Sequence, residues 1–141
     1  MIIGYTCGVY DLFHVGHLNL LRSAKLMCDR LIVGVSSDEL ASYKGKRPFI
    51  PFIERIEIVR SIRYVDIAIP QTNLDKFEAW KKLKFDILFV GDDWYRSSQW
   101  REYEQKLKEV NVTTIYFPYT TTTSSTLIKN NIVNSLDMQA V

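Results

Sequence analysis

Two histidines around a glycine are the residues best placed for chemistry. His14 and His17 are the only histidines in the chain, and Gly16 lies between them. At a spacing of three, two imidazoles at the start of a helix can point the same way and donate hydrogen bonds to phosphate oxygens. The alternative is that one histidine caps the helix and the other packs against it. A metal site would need a third ligand that the sequence does not place, so no metal ligands are predicted.

Short apolar runs predict the strands that position this motif. Runs rich in Ile, Val and Phe alternate with longer segments of helical period, which is typical of βαβ units and of a parallel sheet covered on both faces. The predicted fold class is therefore α/β, a Rossmann-like doubly wound sheet of five parallel strands in a single domain. The predicted strands are Ile2–Cys7, Arg30–Ser36, Val65–Ile69, Ile87–Val90 and Thr113–Phe117.

Periodicity and local signals predict the helices between these strands. Pro51 suits a first helical turn because its φ is already fixed, and Pro70 is expected to close the third strand. Residues 1–132 are predicted to form one domain and residues 133–141 a polar C-terminal tail. The predicted helices run from about Val15, from near Pro51, over about Leu74–Leu83, over about Ser98–Val110, and from Ser124 or Ser125 through Ile132.

Composition excludes several classes of function. Apolar residues make up 47% of the chain and charged residues 24%, the balance of a globular domain. A formal charge of +2 does not favour nucleic acid, which needs clustered positive charge. No apolar run approaches the roughly 20 residues that span a bilayer, and no basic leader precedes the first strand, so we expect a cytoplasmic protein without a membrane partner. Cys7 and Cys28 are expected to be free thiols.

The stretch after the first strand resembles a known family. Gly8-Val9-Tyr10-Asp11-Leu12-Phe13-His14-Val15-Gly16-His17 has the GxxDxxHxGH pattern of the HxGH nucleotidyltransferases. It looks most like the cytidylyltransferase version, with Tyr10 in place of the customary Phe. Two further segments are similar to those of the glycerol-3-phosphate cytidylyltransferases, Ile62-Arg63-Tyr64-Val65-Asp66 and Gly91-Asp92-Asp93-Trp94. The resemblance implies that residues 1–132 form a cytidylyltransferase-like nucleotide-binding domain.

The resemblance also implies roles for individual residues. Catalysis falls on His14, His17 and Lys44. Acceptor binding falls on Lys44, Lys46 and Arg63. From its place at the start of the helix after the basic loop, Arg55 is also expected to bind the acceptor, and the alternative is a surface helix arginine. Asp11 is expected to orient the turn through backbone contacts. Nucleotide binding falls on the first turn, the loop after the fourth strand and the start of the last helix, through Gly8, Val9, Tyr10, His14, Gly16, His17, Asp93, Trp94, Thr120, Ser124, Ser125 and Thr126.

One segment departs from the family pattern. Where the family reads RTxGxSTT, this chain has Tyr119 in place of the arginine and Thr122 in place of the glycine. The remaining hydroxyls at a helix N-terminus can still hold phosphates. Loss of the guanidinium is expected to weaken triphosphate binding by about 1.5 to 3 kcal/mol, unless another cation such as Lys129 compensates.

The implied reaction is transfer of CMP from CTP to a phosphorylated alcohol, with glycerol 3-phosphate as the acceptor and pyrophosphate as the second product. Alternatives within the class are phosphoethanolamine, phosphocholine or a sugar phosphate as acceptor, or ATP as donor. An alternative from another class is a non-catalytic nucleotide-binding sensor or subunit, which the altered threonine-rich segment favours. Mg²⁺ is expected to enter with CTP, and the resemblance implies a homodimer.

Overall fold

The strands form one parallel sheet. In the computed structural model, which describes residues 1–43, 47–91, 98–118 and 125–139, the strand order is β3-β2-β1-β4-β5, and every neighbouring pair is parallel. This confirms the predicted Rossmann-like sheet of five parallel strands. The strands are β1 Ile3–Gly8, β2 Arg30–Ser36, β3 Ile67–Gln71, β4 Ile87–Gly91 and β5 Thr113–Phe117.

Six helices among the described residues connect and follow these strands. Five of them were predicted, with starts that differ by two residues or fewer. α4 begins after Asp75, whose carboxylate accepts hydrogen bonds from the N–H groups of Phe77 and Glu78 and so caps the first turn. The helices are α1 Val15–Leu26, α2 Asp38–Tyr43, α3 Phe52–Arg60, α4 Lys76–Leu83, α5 Ser98–Glu109 and α6 Ser125–Gln139.

The third strand lies two residues later than predicted. Asp66 lies just before the third strand. The Asp66 N–H donates to the Leu31 carbonyl and its carboxylate accepts from the Leu31 N–H, so Asp66 binds the start of β2. Pro70 does not close the strand but pairs with Val35 inside it. The sheet order places β3 at an edge, where a proline can be accommodated because its missing N–H breaks no ladder on the open side.

Two helical predictions need correction. α2 spans Asp38–Tyr43 and was not predicted, since six residues are too few to show a helical period. α6 does not give way to a polar tail after Ile132 but continues to Gln139. The sequence from 133 to 139 contains neither glycine nor proline, so nothing in it breaks the helix.

Each face of the sheet carries its own buried cluster, as a doubly wound sheet requires. On one face, side chains of β2 pack with those of α1 and α3, and the cluster includes Leu21, Ala24, Leu31, Val33, Ile56 and Val59. On the other face the cluster joins β1 and β4 to α5, and includes Tyr5, Ile32, Leu88, Trp100 and Leu107. Adjacent residues of β2 thus enter opposite clusters, which explains why the strand is an apolar run without polar alternation.

The strand order creates a crevice at the end of β1. From β1 the chain proceeds outward to β2 and β3 on one side, and β4 and β5 lie on the other side. Ligands of open α/β sheets bind at such a switch point, beyond the carboxyl ends of the strands. Gly8 ends β1, so the histidine-containing turn that follows lies at this position.

Two further expectations concern cysteines and membranes. Cys7 and Cys28 are half-buried thiols and form no disulfide with each other, as predicted, and the Cys7 Sγ accepts a hydrogen bond from Lys76. Among the described residues, no helix has the length and apolar character needed to cross a membrane.

Gly34 tests how closely β1 and β2 pack. A Cβ at Gly34 would lie 2.5 Å from the Tyr5 hydroxyl oxygen and 3.2 Å from the Cys7 Cβ. We expect Gly34→Ala to lower the free energy of unfolding by about 1 to 3 kcal/mol, measured by urea denaturation, because the core would be overpacked. In a Tyr5→Phe background, which lacks that oxygen, the loss should be smaller. Equal losses in both backgrounds would contradict the contact.

Candidate active site

The turn between β1 and α1 is held in an unusual backbone conformation. Tyr10 and Leu12 have φ values of 56° and 50°, in the left-handed region that L residues seldom adopt. The Tyr10 ring is buried, and its burial helps to offset this strain. The ring also lies so close to Gly8 that a Cβ at that position would contact it. The Tyr10 hydroxyl also hydrogen-bonds to Thr6, so the tyrosine in place of phenylalanine finds a polar partner in the core.

Asp11 is the buried anchor of this turn. Its carboxylate accepts hydrogen bonds from the N–H groups of Phe49 (2.8 Å) and Ile50 (2.9 Å), and lies 2.6 Å from the Lys129 ammonium. Burial alone would raise the pKa of Asp11, but the contacts from Lys129, Phe49 and Ile50 outweigh it and lower that pKa. Asp11 is therefore an anion that orients backbone, which is the role expected from the sequence.

Both histidines cap the first helix. The His14 Nδ1 accepts from the Gly16 N–H at 3.0 Å, and the His17 Nδ1 accepts from the His14 N–H at 3.2 Å. The two rings stack with centroids 3.9 Å apart. A neutral imidazole whose Nδ1 is an acceptor carries its proton on Nε2. Each histidine can therefore cap the helix with one nitrogen and offer an N–H donor with the other.

Burial keeps these imidazoles neutral. It lowers the pKa of His17 to about 3, with a further lowering by the neighbouring His14 and an opposing effect of Asp11. Burial also lowers the pKa of His14. Near pH 7 the pair consists of uncharged hydrogen-bond donors at the positive end of a helix, an arrangement suited to phosphate oxygens.

The remaining residues predicted at the first turn contribute unequally. Gly8 and Val9 lie at the turn, and the Val9 carbonyl accepts from Arg55. The Tyr10 side chain is buried, so only its main chain could reach a nucleotide. The Gly16 N–H donates to the His14 Nδ1, and the place of Gly16 in nucleotide binding stays a prediction.

Arg55 is placed as a structural residue, which corrects its predicted part in acceptor binding. Its side chain is 0% exposed. The guanidinium donates to the carbonyls of Val9 (2.6 Å), Ser36 (2.8 Å) and Ile50 (2.8 Å), and to the Asp38 carboxylate at 2.7 Å. These four bonds occupy four of its five N–H donors, so Arg55 fixes backbone near the site instead of facing a substrate.

Arg63 lies at the wrong edge of the sheet for the predicted role. It is exposed in the turn between α3 and β3, with its guanidinium over the Tyr64 ring at 5.7 Å. That turn precedes β3, and all strands are parallel, so it lies at the amino edge of the sheet. His14 lies beyond the carboxyl edge. Arg63 therefore does not lie in the crevice that holds His14 and His17 of the same chain.

The start of α6 contacts the histidine turn. The Ser125 hydroxyl donates to the Asp11 carbonyl. Thr126 follows in the first helical turn and is exposed. The N-terminus of α6 and that of α1 thus lie next to each other, so that the positive ends of both helix dipoles could meet one phosphate chain.

Several predicted residues fall outside the part of the chain that the structure describes. They are Lys44, Lys46, Asp93, Trp94, Thr120 and Ser124, together with the substituted positions Tyr119 and Thr122. Their assignments stay predictions. Within the described residues, no group of three or more His, Cys, Asp or Glu side chains could hold a metal ion. Imidazole donors and hydroxyls are not the carboxylate set that Mg²⁺ prefers, so no step is assigned to a protein-bound metal.

Sequence reasoning missed the anchoring roles of two residues. Asp38 accepts from Arg55 and from the Phe52 N–H, and the bond from Arg55 is the main cause that lowers its pKa. Lys129 was considered as a replacement for the missing arginine, but its ammonium pairs with Asp11. In the sequence, Asp38 and Lys129 look like ordinary helix-surface charges, because their partners are 17 and 118 positions away. No local signal could have identified these pairs.

The fold and this turn together define a class of protein. A parallel sheet with neutral imidazole donors at the N-terminus of its first helix is typical of α/β proteins that act on nucleotide phosphates. A family model described as Cytidylyltransferase-like matches residues 5–131. The chain belongs to this cytidylyltransferase-like family, and it is a nucleotidyltransferase.

Relatives within the family differ in the substrates that their names give. The glycerol-3-phosphate cytidylyltransferase of Bacillus subtilis (strain 168) is 35% identical over 134 residues, which cover 90% of this chain and 94% of the relative. The FAD synthase of Pyrococcus abyssi is 39% identical over 116 residues, covering 79% and 77%. The crystal structure of a lipopolysaccharide core biosynthesis protein from Thermoplasma volcanium aligns with a TM-score of 0.71 and 28% identity, over 85% of this chain and 97% of that one.

The low pKa of His17 predicts a pH-dependent stability. Between about pH 6.5 and pH 3 the unfolded chain binds a proton at this histidine and the folded chain does not. Stability should therefore fall as pH falls, by about 1.4 kcal/mol per pH unit from this group. Asparagine at position 17 can still accept the His14 N–H, so His17→Asn should reduce the slope of unfolding free energy against pH by that amount between pH 6 and 4.5. Identical slopes would show that His17 titrates normally.

Arg55 gives a second test. Lysine keeps the charge but cannot donate in four directions, so Arg55→Lys should lower the free energy of unfolding by about 2 to 4 kcal/mol in urea denaturation. Arg60 lies on the same helix with its side chain 56% exposed, and Arg60→Lys should change stability by less than about 0.5 kcal/mol. If Arg55→Lys instead weakened substrate binding and left stability intact, Arg55 would be an acceptor ligand after all.

Proposed function

We propose that this protein transfers CMP from CTP to glycerol 3-phosphate, giving CDP-glycerol and pyrophosphate. The observation that carries the proposal is the pair of neutral imidazoles, His14 and His17, whose Nδ1 atoms are used as caps and whose Nε2–H groups remain as donors at the switch point of the sheet. Such donors favour a reaction in which negative charge moves onto a leaving phosphate group.

The proposed chemistry is direct displacement at phosphorus. A phosphate oxygen of the acceptor attacks the α-phosphorus of CTP. A new P–O bond forms while the bond to the oxygen that bridges the α- and β-phosphates breaks, and pyrophosphate leaves with that oxygen. The acceptor oxygen is already anionic, so no general base is needed, and no covalent enzyme intermediate forms. Catalysis then comes from positioning two anions and from stabilising the leaving group.

Predicted residues other than Arg55 and Arg63 carry the steps of this proposal. His14 and His17 donate to the pyrophosphate portion through Nε2–H. Ser125 and Thr126 add the N-terminus of α6 on the other side of the Asp11 turn. Lys44 and Lys46 neutralise the incoming phosphate monoester, and Asp93 with Trp94 receives the cytidine. Mg²⁺ comes with CTP, and the protein works in the cytoplasm as a homodimer.

The relatives support the acceptor and also favour one rival. The alignment with a glycerol-3-phosphate cytidylyltransferase covers 94% of that protein, and the Gly91-Asp92-Asp93-Trp94 segment resembles the same group. The FAD synthase relative, at 39% identity, favours ATP as donor and a flavin phosphate as acceptor. The chemistry at the histidine pair would be the same in both cases. A non-catalytic CTP sensor is the rival from another class.

A pyrophosphate-release assay separates these functions. The purified protein is incubated with Mg²⁺ and with either CTP or ATP. Each nucleotide is combined in turn with glycerol 3-phosphate, phosphoethanolamine, phosphocholine, a sugar phosphate or FMN. We expect release only with CTP and glycerol 3-phosphate. Release with ATP and FMN would replace the proposed substrates, and CTP binding without acceptor-dependent release would identify a sensor.

Variants of the two histidines test the site itself. His14→Asn and His17→Asn keep a capping acceptor near the Nδ1 position and lose the Nε2–H donor, so kcat should fall about 10² to 10³-fold while the helix remains folded. Arg60→Lys, on the exposed face of α3, should leave kcat unchanged. Full turnover by either asparagine variant would place the reaction elsewhere.

A further inference from the structure

One ammonium group of α6 joins two other segments of the chain. Lys129 Nζ lies 2.6 Å from Asp11 Oδ2 and 3.4 Å from the Arg47 carbonyl oxygen. It also lies 5.0 Å from the centre of the Phe49 ring, within the range of a cation–π contact. The side chain is 23% exposed. Lys129 is therefore surrounded by an anion, a carbonyl and an aromatic face, which together suit a lysine ammonium.

The carboxylate at the centre of this contact is nearly inaccessible. Asp11 is 3% exposed and accepts from the Phe49 and Ile50 N–H groups as well as from Lys129. A buried carboxylate needs a cation or several donors, because removal from water disfavours its charge. Among the residues that the structure describes, Lys129 is the one cation in contact with the Asp11 carboxylate. Lys129 therefore balances the charge of a carboxylate that also binds the 49–50 backbone.

These contacts also place α6. From 131 to 136 the helix is exposed, including Ile132, Val133 and Leu136. Close to its start, the Ser125 hydroxyl donates to the Asp11 carbonyl, and one turn later Lys129 reaches the Asp11 carboxylate. Two polar contacts to a single residue thus set the angle at which the N-terminus of α6 meets the histidine turn.

Each of the joined segments borders residues with proposed substrate roles. Asp11 lies three residues before His14, and Arg47 directly follows Lys46. Ser125 and Thr126 open α6 itself. One ammonium therefore contacts segments that adjoin, in the sequence, the proposed donors for the leaving group and the proposed basic residues for the acceptor, and it lies on the same helix as the hydroxyls.

We propose that Lys129 is a positioning residue of the transfer reaction. It acts through Asp11 and the 47–50 backbone, and sets the relative placement of the CTP-binding and acceptor-binding segments without touching either substrate. This inference rests on the proposed function, but the contacts it depends on can be tested separately. It also removes Lys129 as a substitute for the arginine that Tyr119 replaces, since its charge is paired with Asp11.

Three variants test the inference. Lys129→Met keeps an apolar stem and removes the charge, whereas Lys129→Arg keeps the charge. Lys25→Met is the matched control, because Lys25 forms an ion pair of the same 2.6 Å length with Asp66 at the amino edge of the sheet. The measurements are Tm, KM for CTP and for glycerol 3-phosphate, kcat, and hydrogen exchange of the Phe49 and Ile50 amides.

A positioning residue should affect binding more than turnover. We expect Lys129→Met to raise both KM values about tenfold, to change kcat less than about threefold, and to speed exchange of the Phe49 and Ile50 amides. Lys129→Arg should restore both KM values to within about threefold of wild type. Lys25→Met should lower Tm without changing either KM or those two amides.

Other outcomes would overturn the inference. If Lys129→Met lowered Tm as Lys25→Met does but left both KM values unchanged, Lys129 would be merely structural. A large loss of kcat at unchanged KM would make it a catalytic group. Equal impairment of the Met and Arg variants would show that the charge is not what matters.

The test also holds if the proposed function fails. A wild-type protein with no turnover on any substrate pair would reject the proposed reaction. The dissociation constant for CTP and the two amide exchange rates would still compare the variants. If wild type binds CTP, a tenfold weaker binding by Lys129→Met with faster amide exchange would keep the positioning role. Unchanged exchange would reject it whether or not the protein is active.

Discussion

The carboxyl edge of this sheet is built around the buried guanidinium of Arg55, which binds the backbone of three separate segments. Its donors meet the carbonyl of Val9 after β1, that of Ser36 at the end of β2, and that of Ile50 before α3. A charge out of water is tolerated when its hydrogen bonds are satisfied, so these carbonyls and the guanidinium hold one another in place. The loop that brings Phe49 and Ile50 to Asp11 is a consequence of that arrangement. The buried groups Arg55 and Asp11, which carry opposite charges, thus form the base of the histidine turn.

On this base, the helix cap and the chemistry use the same two side chains. From the sequence alone, helix capping and phosphate binding are alternative roles for the two histidines. An imidazole has two nitrogens, however, so one ring can do both. The cap fixes the ring orientation and the tautomer through Nδ1, which leaves Nε2–H as an aimed donor. Burial keeps the pair neutral. A donor that is oriented before substrate arrives costs little reorganisation when charge develops, which is the condition for strong transition-state stabilisation.

Sequence reasoning worked where residue type alone determines the structure. Parallel strands buried on both faces are apolar runs, so the sheet was predictable, and the histidine pair after the first strand indicated the edge at which the site is proposed. It failed where a partner that is distant in the sequence determines the role of a residue. Nothing near Arg55 indicates that it will bind the carbonyls of Val9 and Ser36, and a six-residue helix such as α2 has no period to detect. The place of Arg63 follows only from topology, since a turn that leads from a helix into a parallel strand must lie at the amino edge.

The charges of the site imply a division of labour within the proposed reaction. Two anions must approach, yet His14 and His17 are neutral, the charge of Lys129 is paired with Asp11, and that of Arg55 is buried among carbonyls. These groups therefore contribute direction rather than positive charge. Positive charge must come from Lys44 and Lys46, or from a cation that arrives with the nucleotide, if two phosphate groups are to meet. Cations then favour the encounter of both substrates, while neutral fixed donors favour the transition state over the ground state, because hydrogen bonds to the leaving oxygens strengthen only as charge moves onto them.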